Sequence, residues 1–394
     1  MKMKKKILIV TASLGLGGSE KALTEMVNLF DFDKYDVDVL SLLKNIDVSM
    51  IHKKANVING YLKFDVNESL KKSMFPLLCK GNFRLVYNRF KFSISCKNNK
   101  SNTHTSKFYW KYFKNMIPTF EPQYDVVIGY GQGMATYFAC DKVKAKKKIL
   151  WLNTDLEKAH YDIDFVKKFY LSADYIFVDS LNGKKNVCRL FPEMSDKTFV
   201  FKNILNENEI KLKGNEPIPE HLTNKNMILS IGRLVEAKAF HLAVSAAKLL
   251  KDQGLDFVWY IVGEGSDRES LELQIKALGI ENNVVLLGKR INPYPYLKRC
   301  DYYVQTSIYE GSCITLDEAM IFKKPIVTTD FPAAKEKIFH KKNGYIVTMK
   351  PEAIAEGIEA MINDNQLRNE CVNYLIENKQ NYSKQMQMLY DVFC

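Results

Sequence analysis

Short apolar runs alternate with segments of helical periodicity along most of the chain, and this alternation constrains the fold more than any other sequence feature. Such runs are typical of strands buried on both faces, which occur in parallel sheets covered by helices. The predicted strands are 6–11, 37–42, 125–129, 148–152, 175–178 and 198–202, then 227–231, 257–262, 284–287, 302–305 and 325–328. The sequence therefore predicts an α/β protein.

A polar stretch containing Pro217 and Pro219 separates the two series of strands. At roughly 150 residues per domain, 394 residues allow two or three domains. We predict two doubly wound Rossmann-like domains facing a cleft, with the active site in that cleft at the carboxyl ends of the strands. The predicted divisions are a first domain 1–205, a linker 206–226, a second domain 227–372 and a C-terminal helix 373–394 that crosses back to the first domain.

Composition excludes several classes of protein. No stretch approaches the ~18 to 20 apolar residues of a membrane-spanning helix. The eight cysteines include no CxxC and the six histidines no pair at ligand spacing, which indicates a reduced, cytoplasmic protein without structural zinc. Neither a Walker A sequence nor a Gly-x-Ser-x-Gly elbow is present, so NTPase and hydrolase functions have no support.

Most of the net charge of +12 comes from residues 63–114, which hold twelve Lys and Arg but only two acidic residues. One interpretation is a solvated surface. The other is a peripheral contact with an anionic membrane, because aromatic residues interleave with the cations. Nothing matches a nucleic-acid-binding module. The interleaved aromatic residues include Phe75, Phe83, Tyr87, Phe90, Phe92, Phe108, Tyr109, Trp110, Tyr112 and Phe113.

Two glycine-containing strand ends are candidate anion sites. The first strand leads into a loop with Gly17 and Gly18 that opens a helix, where backbone amides favour an anion, although the loop could simply be a tight turn. The second-domain strand 227–231 leads into Gly232, Arg233 and, five residues later, Lys238. Both cations suit a diphosphate, although each could also be an ordinary surface charge.

Two carboxylates follow the predicted strand 302–305. Glu310 lies in a loop, and Glu318 lies about two turns into the next helix. An ionised carboxylate accepts hydrogen bonds from sugar hydroxyls well because it has four lone-pair sites and no donor. The amides that open this helix, those of Ser312, Cys313 and Ile314, could hold phosphate.

These motifs together resemble a retaining glycosyltransferase of family 4 with the GT-B fold, similar to bacterial capsular and exopolysaccharide enzymes. The resemblance implies that Arg233 and Lys238 hold the diphosphate of a nucleotide sugar, that Glu310 contacts the donor sugar and that Glu318 accepts from the ribose. Gly17 and Gly18 would close over the phosphates. The motifs that carry the resemblance are the glycine-rich first loop, GRLxxxK ending at Lys238, VGEG at 262–265, NPYPY at 292–296, Glu310-x7-Glu318, KPIV at 324–327 and Asn343-Gly344.

One position departs from the family pattern. Similar enzymes carry Trp-Ile-His-x-Asp after a first-domain strand, whereas this chain has Asn153 in place of the His and keeps Asp155. Asn153 cannot titrate. We favour a role for it in orienting a hydroxyl; the alternatives are an impaired enzyme or transfer of the role to Asp155.

The expected reaction moves a sugar from a nucleotide-diphosphate sugar to a glycan or lipid-linked acceptor, on the inner face of the cell membrane, and the expected donor is a UDP-sugar. The transition state develops charge on the departing diphosphate, which the two cations can stabilise. We therefore expect no metal and no cofactor, although three Asp-x-Asp pairs exist, at 31/33, 36/38 and 162/164. A nucleotide-sugar 2-epimerase and a non-catalytic sugar-nucleotide or glycan-binding protein remain as alternatives.

Overall fold

The structure is a computed structural model that describes residues 4–14, 18–43, 51–62, 83–97, 102–219, 222, 226–378 and 383–393. The chain divides into two compact units. The first comprises Met1–Lys202 together with Tyr382–Cys394, and the second comprises Asn203–Asn381. In the described ranges each unit contains one parallel sheet.

The sheet of the first unit has the strand order β3-β2-β1-β4-β5-β6-β7. The order reverses between β1 and β4, which both pair with their neighbours in parallel. Ile7, Leu8, Ile9 and Val10 in β1 are fully buried, as the continuous apolar run requires of a central parallel strand. The strands are β1 Lys5–Thr11, β2 Tyr35–Ser41, β3 Asn56–Asn59, β4 Phe120–Tyr130, β5 Val143–Leu152, β6 Tyr175–Val178 and β7 Thr198–Val200.

Helices connect these strands and bury apolar stripes on the sheet. Helix α1 buries Leu23 and Met26 from an amphipathic sequence. The helices of this unit are α1 Gly18–Asn28, α2 Phe83–Lys97, α3 Asn102–Phe113, α4 Met134–Lys142, α5 Ile163–Leu171 and α6 Leu181–Leu190, and the C-terminal helix, numbered α15 below, is Ser383–Phe393.

The second unit repeats this arrangement with the order β10-β9-β8-β11-β12-β13. Its strands are β8 Asn226–Ile231, β9 Phe257–Val262, β10 Val284–Gly288, β11 Tyr302–Gln305, β12 Ile326–Thr329 and β13 Tyr345–Val347. Its helices are α7 Glu207–Lys213, α8 Phe240–Asp252, α9 Arg268–Ala277, α10 Tyr294–Arg299, α11 Ile314–Ile321, α12 Pro332–Lys335, α13 Pro351–Asn363 and α14 Asn365–Glu377.

The chain divides at different residues from those predicted. The expected linker 206–226 contains helix α7, which begins at an Asn206 cap and belongs to the second unit. Its acids at the first turn and lysines at the last complement the helix dipole, a signal that the Pro-rich composition of the neighbouring residues obscured. Helix α14 also belongs to the second unit, so only α15 returns to the first.

Helix α15 packs on the first unit through aromatic rings. Tyr390 stacks on Tyr35 with ring centroids 4.9 Å apart, and its hydroxyl donates to the Leu29 carbonyl at 3.2 Å. Lys5 Nζ donates to the Phe393 carbonyl at 2.8 Å. These contacts anchor the end of the chain to β1, β2 and the end of α1.

The aromatic residues of 63–114 do not form one surface. Phe92, Tyr109, Trp110 and Phe113 are buried in the core of the first unit, whereas three others on α2 are exposed. The rings of Phe92, Tyr109 and Phe113 pack on one another, and Trp110 packs on Tyr137. The expectation that all these rings could lie at a membrane is therefore wrong, because helices α2 and α3 use part of the set to pack together. Phe75 lies outside the described residues. None of the helices in the described ranges combines the length and hydrophobicity that crossing a membrane requires.

Candidate functional site

The candidate residues of the second unit lie where its strand order reverses. Strand β8 ends at Ile231 and its neighbour β11 ends at Gln305, and the connections leave these strands in opposite directions. Ligands bind at such switch points in open parallel sheets. The segment from Gly232 to Lys238 follows β8 and the loop with Glu310 follows β11, so two distant motifs meet at one edge.

Lys238 and Glu310 form the central contact of this edge. Their side chains are 14% and 16% exposed, and Lys238 Nζ donates to Glu310 Oε1. Burial lowers the pKa of the Lys238 ammonium, but the charge and hydrogen bond of Glu310, together with the nearby Cys313, raise it, and the net pKa lies above its ordinary value. Lys238 is therefore a cation at neutral pH. Thr306 Oγ1 also donates to the Lys238 carbonyl at 2.8 Å, which ties the two loops together.

Glycines permit the loop after β8 to pass between its neighbours. A Cβ on Gly232 would lie 3.1 Å from Cε of Lys238, so the lysine stem crosses directly over this glycine. A Cβ on Gly263 would lie 1.7 Å from the Gly232 carbonyl oxygen, and one on Gly265 2.1 Å from the Leu234 oxygen. The GEG turn, predictable as turn chemistry alone, therefore makes a tertiary contact that positions the Arg233 segment.

The amino terminus of α11 faces the same edge. Ser312 and Cys313 are 4% and 5% exposed, and Ile314 begins the helix. Cys313 has a φ of 55°, and burial raises the pKa of its thiol to about 12, so it stays a neutral thiol. Lys337 Nζ donates to Ser312 Oγ at 3.0 Å and pairs with the Asp317 carboxylate.

Glu318 lies further along α11 and is 3% exposed. The hydroxyl of Tyr294 donates to Glu318 Oε1 at 2.8 Å. Tyr294 belongs to the NPYPY motif, which the sequence signalled without indicating this contact. Arg233 is exposed, and its charge lies close enough to Lys238 to lower that ammonium's pKa. Two cations, a helix amino terminus and two carboxylates thus share one unit and can hold a diphosphate with hydroxyl-bearing groups at either end.

The candidates of the first unit lie at the carboxyl ends of its strands. Gly18 is exposed at the start of α1, and Gly17 lies outside the described residues. Asn153 follows β5; its backbone N–H donates to Gln132 Oε1 at 3.3 Å, while its buried Oδ1 accepts no hydrogen bond from the residues the structure describes.

Asp155 uses both carboxylate oxygens in local structure. Its Oδ1 accepts from the backbone N–H groups of Glu157 and Lys158 at 3.1 and 3.2 Å, and its Oδ2 accepts from Asn186 Nδ2 at 2.7 Å. These contacts cap the turn after β5.

Two supporting residues, Gln305 and Lys337, were missed from the sequence, and Tyr294 was named only as part of the NPYPY motif. Lys337 has no local signal because Ser312 and Asp317 approach it only through tertiary structure. Gln305 carried a signal, since a polar residue ends an otherwise apolar central strand. Over the described part of the chain, no group of three or more His, Cys, Asp or Glu side chains could hold a metal ion.

Residues 215–378 match the protein family described as glycosyl transferases group 1. The matched region includes every second-unit candidate named above. The chain contains a glycosyl transferases group 1 domain.

Relatives of this chain include glycosyltransferases whose names specify undecaprenol-linked acceptors or capsular polysaccharide biosynthesis. The chain is 29% identical over 207 residues to N-acetylgalactosamine-N,N'-diacetylbacillosaminyl-diphospho-undecaprenol 4-alpha-N-acetylgalactosaminyltransferase of Campylobacter jejuni, covering 52% of this chain and 56% of that enzyme. It is 25% identical over 372 residues to a second Campylobacter jejuni enzyme, GalNAc-alpha-(1->4)-GalNAc-alpha-(1->3)-diNAcBac-PP-undecaprenol alpha-1,4-N-acetyl-D-galactosaminyltransferase, covering 93% and 92%. For four of the relatives, the alignment spans only between 26% and 59% of their length.

The solved structures include Anabaena HepE in complex with UDP and glucose. It matches with a TM-score of 0.69 over 98% of this chain and 99% of that chain, at 17% identity. At this identity the likeness shows the fold. It confirms the predicted fold class, α/β with the two doubly wound Rossmann-like domains of GT-B enzymes.

Proposed function

We propose that this protein is a retaining, metal-independent glycosyltransferase that moves a sugar from a UDP-sugar to a lipid-linked glycan in cell-surface polysaccharide synthesis. The observation that carries the proposal is the largely buried Lys238–Glu310 pair at the switch point of the second sheet. A partly exposed cation beside a carboxylate at a ligand-binding edge suits a substrate with a diphosphate next to a sugar.

In the proposed reaction the bond between the anomeric carbon and the diphosphate breaks, and negative charge develops on the departing oxygen. Lys238, Arg233 and the amides at the start of α11 stabilise this charge, which is the largest expected contribution to catalysis. Glu310 accepts from a donor-sugar hydroxyl and Glu318 from the ribose. The acceptor oxygen attacks from the same face and its proton passes to the leaving phosphate, so that configuration is retained.

Asn153 is proposed to orient a sugar hydroxyl. Its buried Oδ1 accepts no hydrogen bond within the described part of the chain, which supports a ligand donor at that atom. Asp155 is already an acceptor at both oxygens in the turn after β5. Those contacts favour a structural role for Asp155 over the role of the family histidine.

The donor and acceptor classes are proposed from the comparisons. Two relatives are named as N-acetylgalactosaminyltransferases acting on undecaprenol-linked glycans, and the Anabaena structure contains UDP. A screen of UDP-sugars and GDP-sugars by thermal stabilisation would identify the donor, since a ligand at about 100 Kd adds about 2.7 kcal/mol. Failure of every UDP-sugar and of UDP to stabilise the protein would contradict the proposal.

Product analysis separates the alternatives. With donor alone, a transferase gives at most slow hydrolysis, whereas an epimerase gives a new nucleotide sugar. With an undecaprenol-linked glycan added, transfer with an α linkage from an α-linked donor supports a retaining enzyme. No product under either condition would favour a non-catalytic binding protein. No observation in the described residues favours either alternative.

We predict that activity survives chelation. The diphosphate countercharge comes from Lys238 and Arg233, and the Asp-x-Asp residue Asp162 is engaged as the α5 cap, accepting from the Phe165 N–H at 2.9 Å. Transfer should therefore be unchanged in EDTA, measured as UDP release. Loss of activity that manganese or magnesium restores would contradict this.

We also propose a peripheral membrane contact through one face of α2, which we call the α2 face. Phe83, Tyr87, Phe90 and Ile94 recur at helical spacing and are 71%, 56%, 52% and 46% exposed. Arg84, Lys91 and Lys97 are also exposed, and the helix contains no acidic residue. Aromatic residues flanked by cations suit an anionic lipid surface.

The test is co-sedimentation with phosphatidylglycerol and phosphatidylcholine vesicles. Arg84, Lys91 and Lys97 changed together to Glu should abolish binding to the anionic vesicles at low salt. High salt should weaken wild-type binding because the Debye length falls from about 10 Å at 0.1 M to about 3 Å at 1 M. Arg89 is excluded because it is 3% exposed and would affect folding. Equal binding by both proteins, or none by wild type, would contradict the contact.

A further inference from the structure

Strand β11 carries a polar face inside the second unit. Tyr303, Gln305 and Ser307 alternate along the chain and share one face, because side chains of an extended segment repeat every two residues. They are 0%, 1% and 0% exposed. Strand β11 lies between β8 and β12, a position that normally takes apolar residues on both faces. Burying three polar groups there is costly unless each is hydrogen-bonded.

The three side chains form a chain of hydrogen bonds that ends on Glu310. Tyr303 OH donates to Gln305 Oε1 at 2.7 Å, and Gln305 Nε2 donates to Ser307 Oγ at 2.6 Å. Ser307 Oγ donates to Glu310 Oε1 at 2.7 Å. Thr315 Oγ1 adds a second donor to Gln305 Oε1 at 3.1 Å. Because the single proton of the Ser307 hydroxyl is donated to Glu310, Ser307 accepts from the Gln305 amide, which fixes the orientation of that amide.

All the donors point toward the carboxylate. Burial raises the pKa of the Tyr303 phenol well above its ordinary value, which keeps it a neutral donor. Hydrogen bonds in such a chain polarise one another, and a bond to an ionised acceptor is stronger than one between neutral groups. The hydrogen bonds of the buried polar face therefore stabilise the negative charge at one atom, Glu310 Oε1.

A nearby polar pair shows what a purely structural arrangement looks like. Ser230 on β8 accepts from Trp259 Nε1 at 3.0 Å and donates to the Val304 carbonyl at 2.6 Å. That pair ends on the backbone and reaches no ionisable side chain. The chain along β11 differs because it ends on a partly exposed carboxylate at the candidate site.

We infer that Gln305 is a positioning residue. By donating to Ser307 it orients the Ser307 hydroxyl toward Glu310, and this hydrogen bond holds the Glu310 carboxylate in place when Lys238 binds a substrate anion. In the described residues, Glu310 Oε1 is held by Lys238 and Ser307, whereas Oε2 accepts no hydrogen bond and is available to a sugar hydroxyl. If Lys238 engages a diphosphate, the Ser307 bond is the contact that remains. This inference rests on the proposed function of Glu310.

The first test compares Gln305→Met with Ser230→Ala, a matched loss of a buried polar group outside the chain of hydrogen bonds. The donor selected by the screen is the substrate, and UDP is the probe of nucleotide binding. Gln305→Met should lower kcat roughly 10- to 100-fold and leave the Kd for UDP within about 2-fold, because only the sugar contact is loosened. Ser230→Ala should lose stability with wild-type kcat.

The second test uses pH. When the new carboxyl group in Gln305→Glu is protonated, it can still donate a hydrogen bond to Ser307. When it is ionised, it accepts a hydrogen bond from Ser307 instead, and the Ser307 hydroxyl no longer donates to Glu310. Because burial raises a carboxyl pKa, kcat of Gln305→Glu should recover toward wild type as pH falls, after division by the wild-type value at each pH. This recovery requires a folded protein and distinguishes positioning from general damage.

The outcomes separate the two proposals. A wild-type protein that binds no UDP and transfers no sugar overturns the proposed function and this inference with it. An active wild type with unchanged kcat in Gln305→Met overturns the inference alone. A pH-independent defect in Gln305→Glu, or an equal fall of kcat in Ser230→Ala, also overturns it.

Discussion

At the scale of single residues, a contribution to the stability of the second unit does not explain the Lys238–Glu310 ion pair. The free energy needed to remove the two charged groups from water offsets much of their mutual attraction. A pair of apolar residues of similar size would therefore stabilise the second unit about equally. The raised pKa of Lys238 means that its contribution to stability is fully present below about 10.5, the ordinary lysine value, and is lost as pH rises through the folded value. The pair is therefore intact at neutral pH.

The two carboxylates should separate in a mutational test. Glu310→Gln should lower kcat by a factor that corresponds to a loss of about 1.5 to 3 kcal/mol of transition-state stabilisation. The Kd for UDP should change little, because Glu310 is assigned to the sugar. Glu318→Gln should weaken UDP binding by a similar amount. Calorimetry and initial rates measure both, with the exposed Glu269→Gln on α9 as the control. Wild-type kinetics in Glu310→Gln would contradict the assignment.

At the scale of elements, two glycines outside the helices and strands differ in what prevents their replacement by a larger residue. Gly265 and Gly254 illustrate two different constraints: an added Cβ at Gly265 would overlap the Leu234 backbone, whereas one at Gly254 would meet nothing within 4 Å, although φ there is 80°. The first glycine is required by close approach, and the second by backbone conformation.

Gly265→Ala should therefore destabilise the second unit by about 3 kcal/mol, because the Leu234 backbone must move. Gly254→Ala is the control and should lose only about 1 to 2 kcal/mol, the cost of a positive φ in alanine. Urea unfolding measures both. Gly265→Ala should also weaken UDP binding, since the displaced segment carries Arg233; equal stability and equal UDP affinity in the two variants would argue against the close approach.

The C-terminal helix α15 offers a second element-scale prediction. Leu389 is fully buried, and its truncation in Leu389→Ala should cost about 2 to 5 kcal/mol of the first unit's stability. Gln387→Ala, on the exposed side of the same helix, should change stability by no more than about 0.5 kcal/mol. Thermal unfolding followed by circular dichroism distinguishes them. Indistinguishable melting curves would mean that α15 does not dock on the first unit.

At the scale of the whole molecule, each unit has its own hydrophobic core. One core contains Trp110, Tyr137 and Phe169, and the other contains Trp259, Phe240 and Leu250. Each is large enough to support an independent fold. The candidate contacts around Lys238, Glu310 and Glu318 all lie in the second unit.

A fragment comprising residues 203–381 should therefore fold and bind UDP. We expect a cooperative thermal transition whose midpoint temperature rises when UDP is added. UDP at 100 Kd should add about 2.7 kcal/mol to the free energy of unfolding. Circular dichroism and calorimetry measure this, and the same fragment with Lys238→Met is the control for binding. A fragment that is folded but does not bind UDP would mean that essential nucleotide contacts lie in the first unit.

Much of this architecture follows from the sequence by itself. Parallel strands buried on both faces are short apolar runs, so nine of the eleven predicted strands both begin and end within two residues of strands in the structure, for example 257–262 and 302–305. Strands β3 and β13, which have four and three residues and are only partly buried, were missed. Edge position alone does not explain this, because the edge strands β7 and β10 were predicted. Motif spacing likewise indicated Lys238, Glu310 and Glu318.

Tertiary structure alone decided which partners these residues have. Lys337 meets Ser312 across 25 positions, and Tyr294 meets Glu318 across 24, with no local pattern linking either pair. It also decided which aromatic residues of 63–114 are core and which form the α2 face. Local sequence specifies backbone conformation through the pattern of apolar residues, whereas contacts between distant residues depend on strand order, and strand order is set by packing the whole sheet.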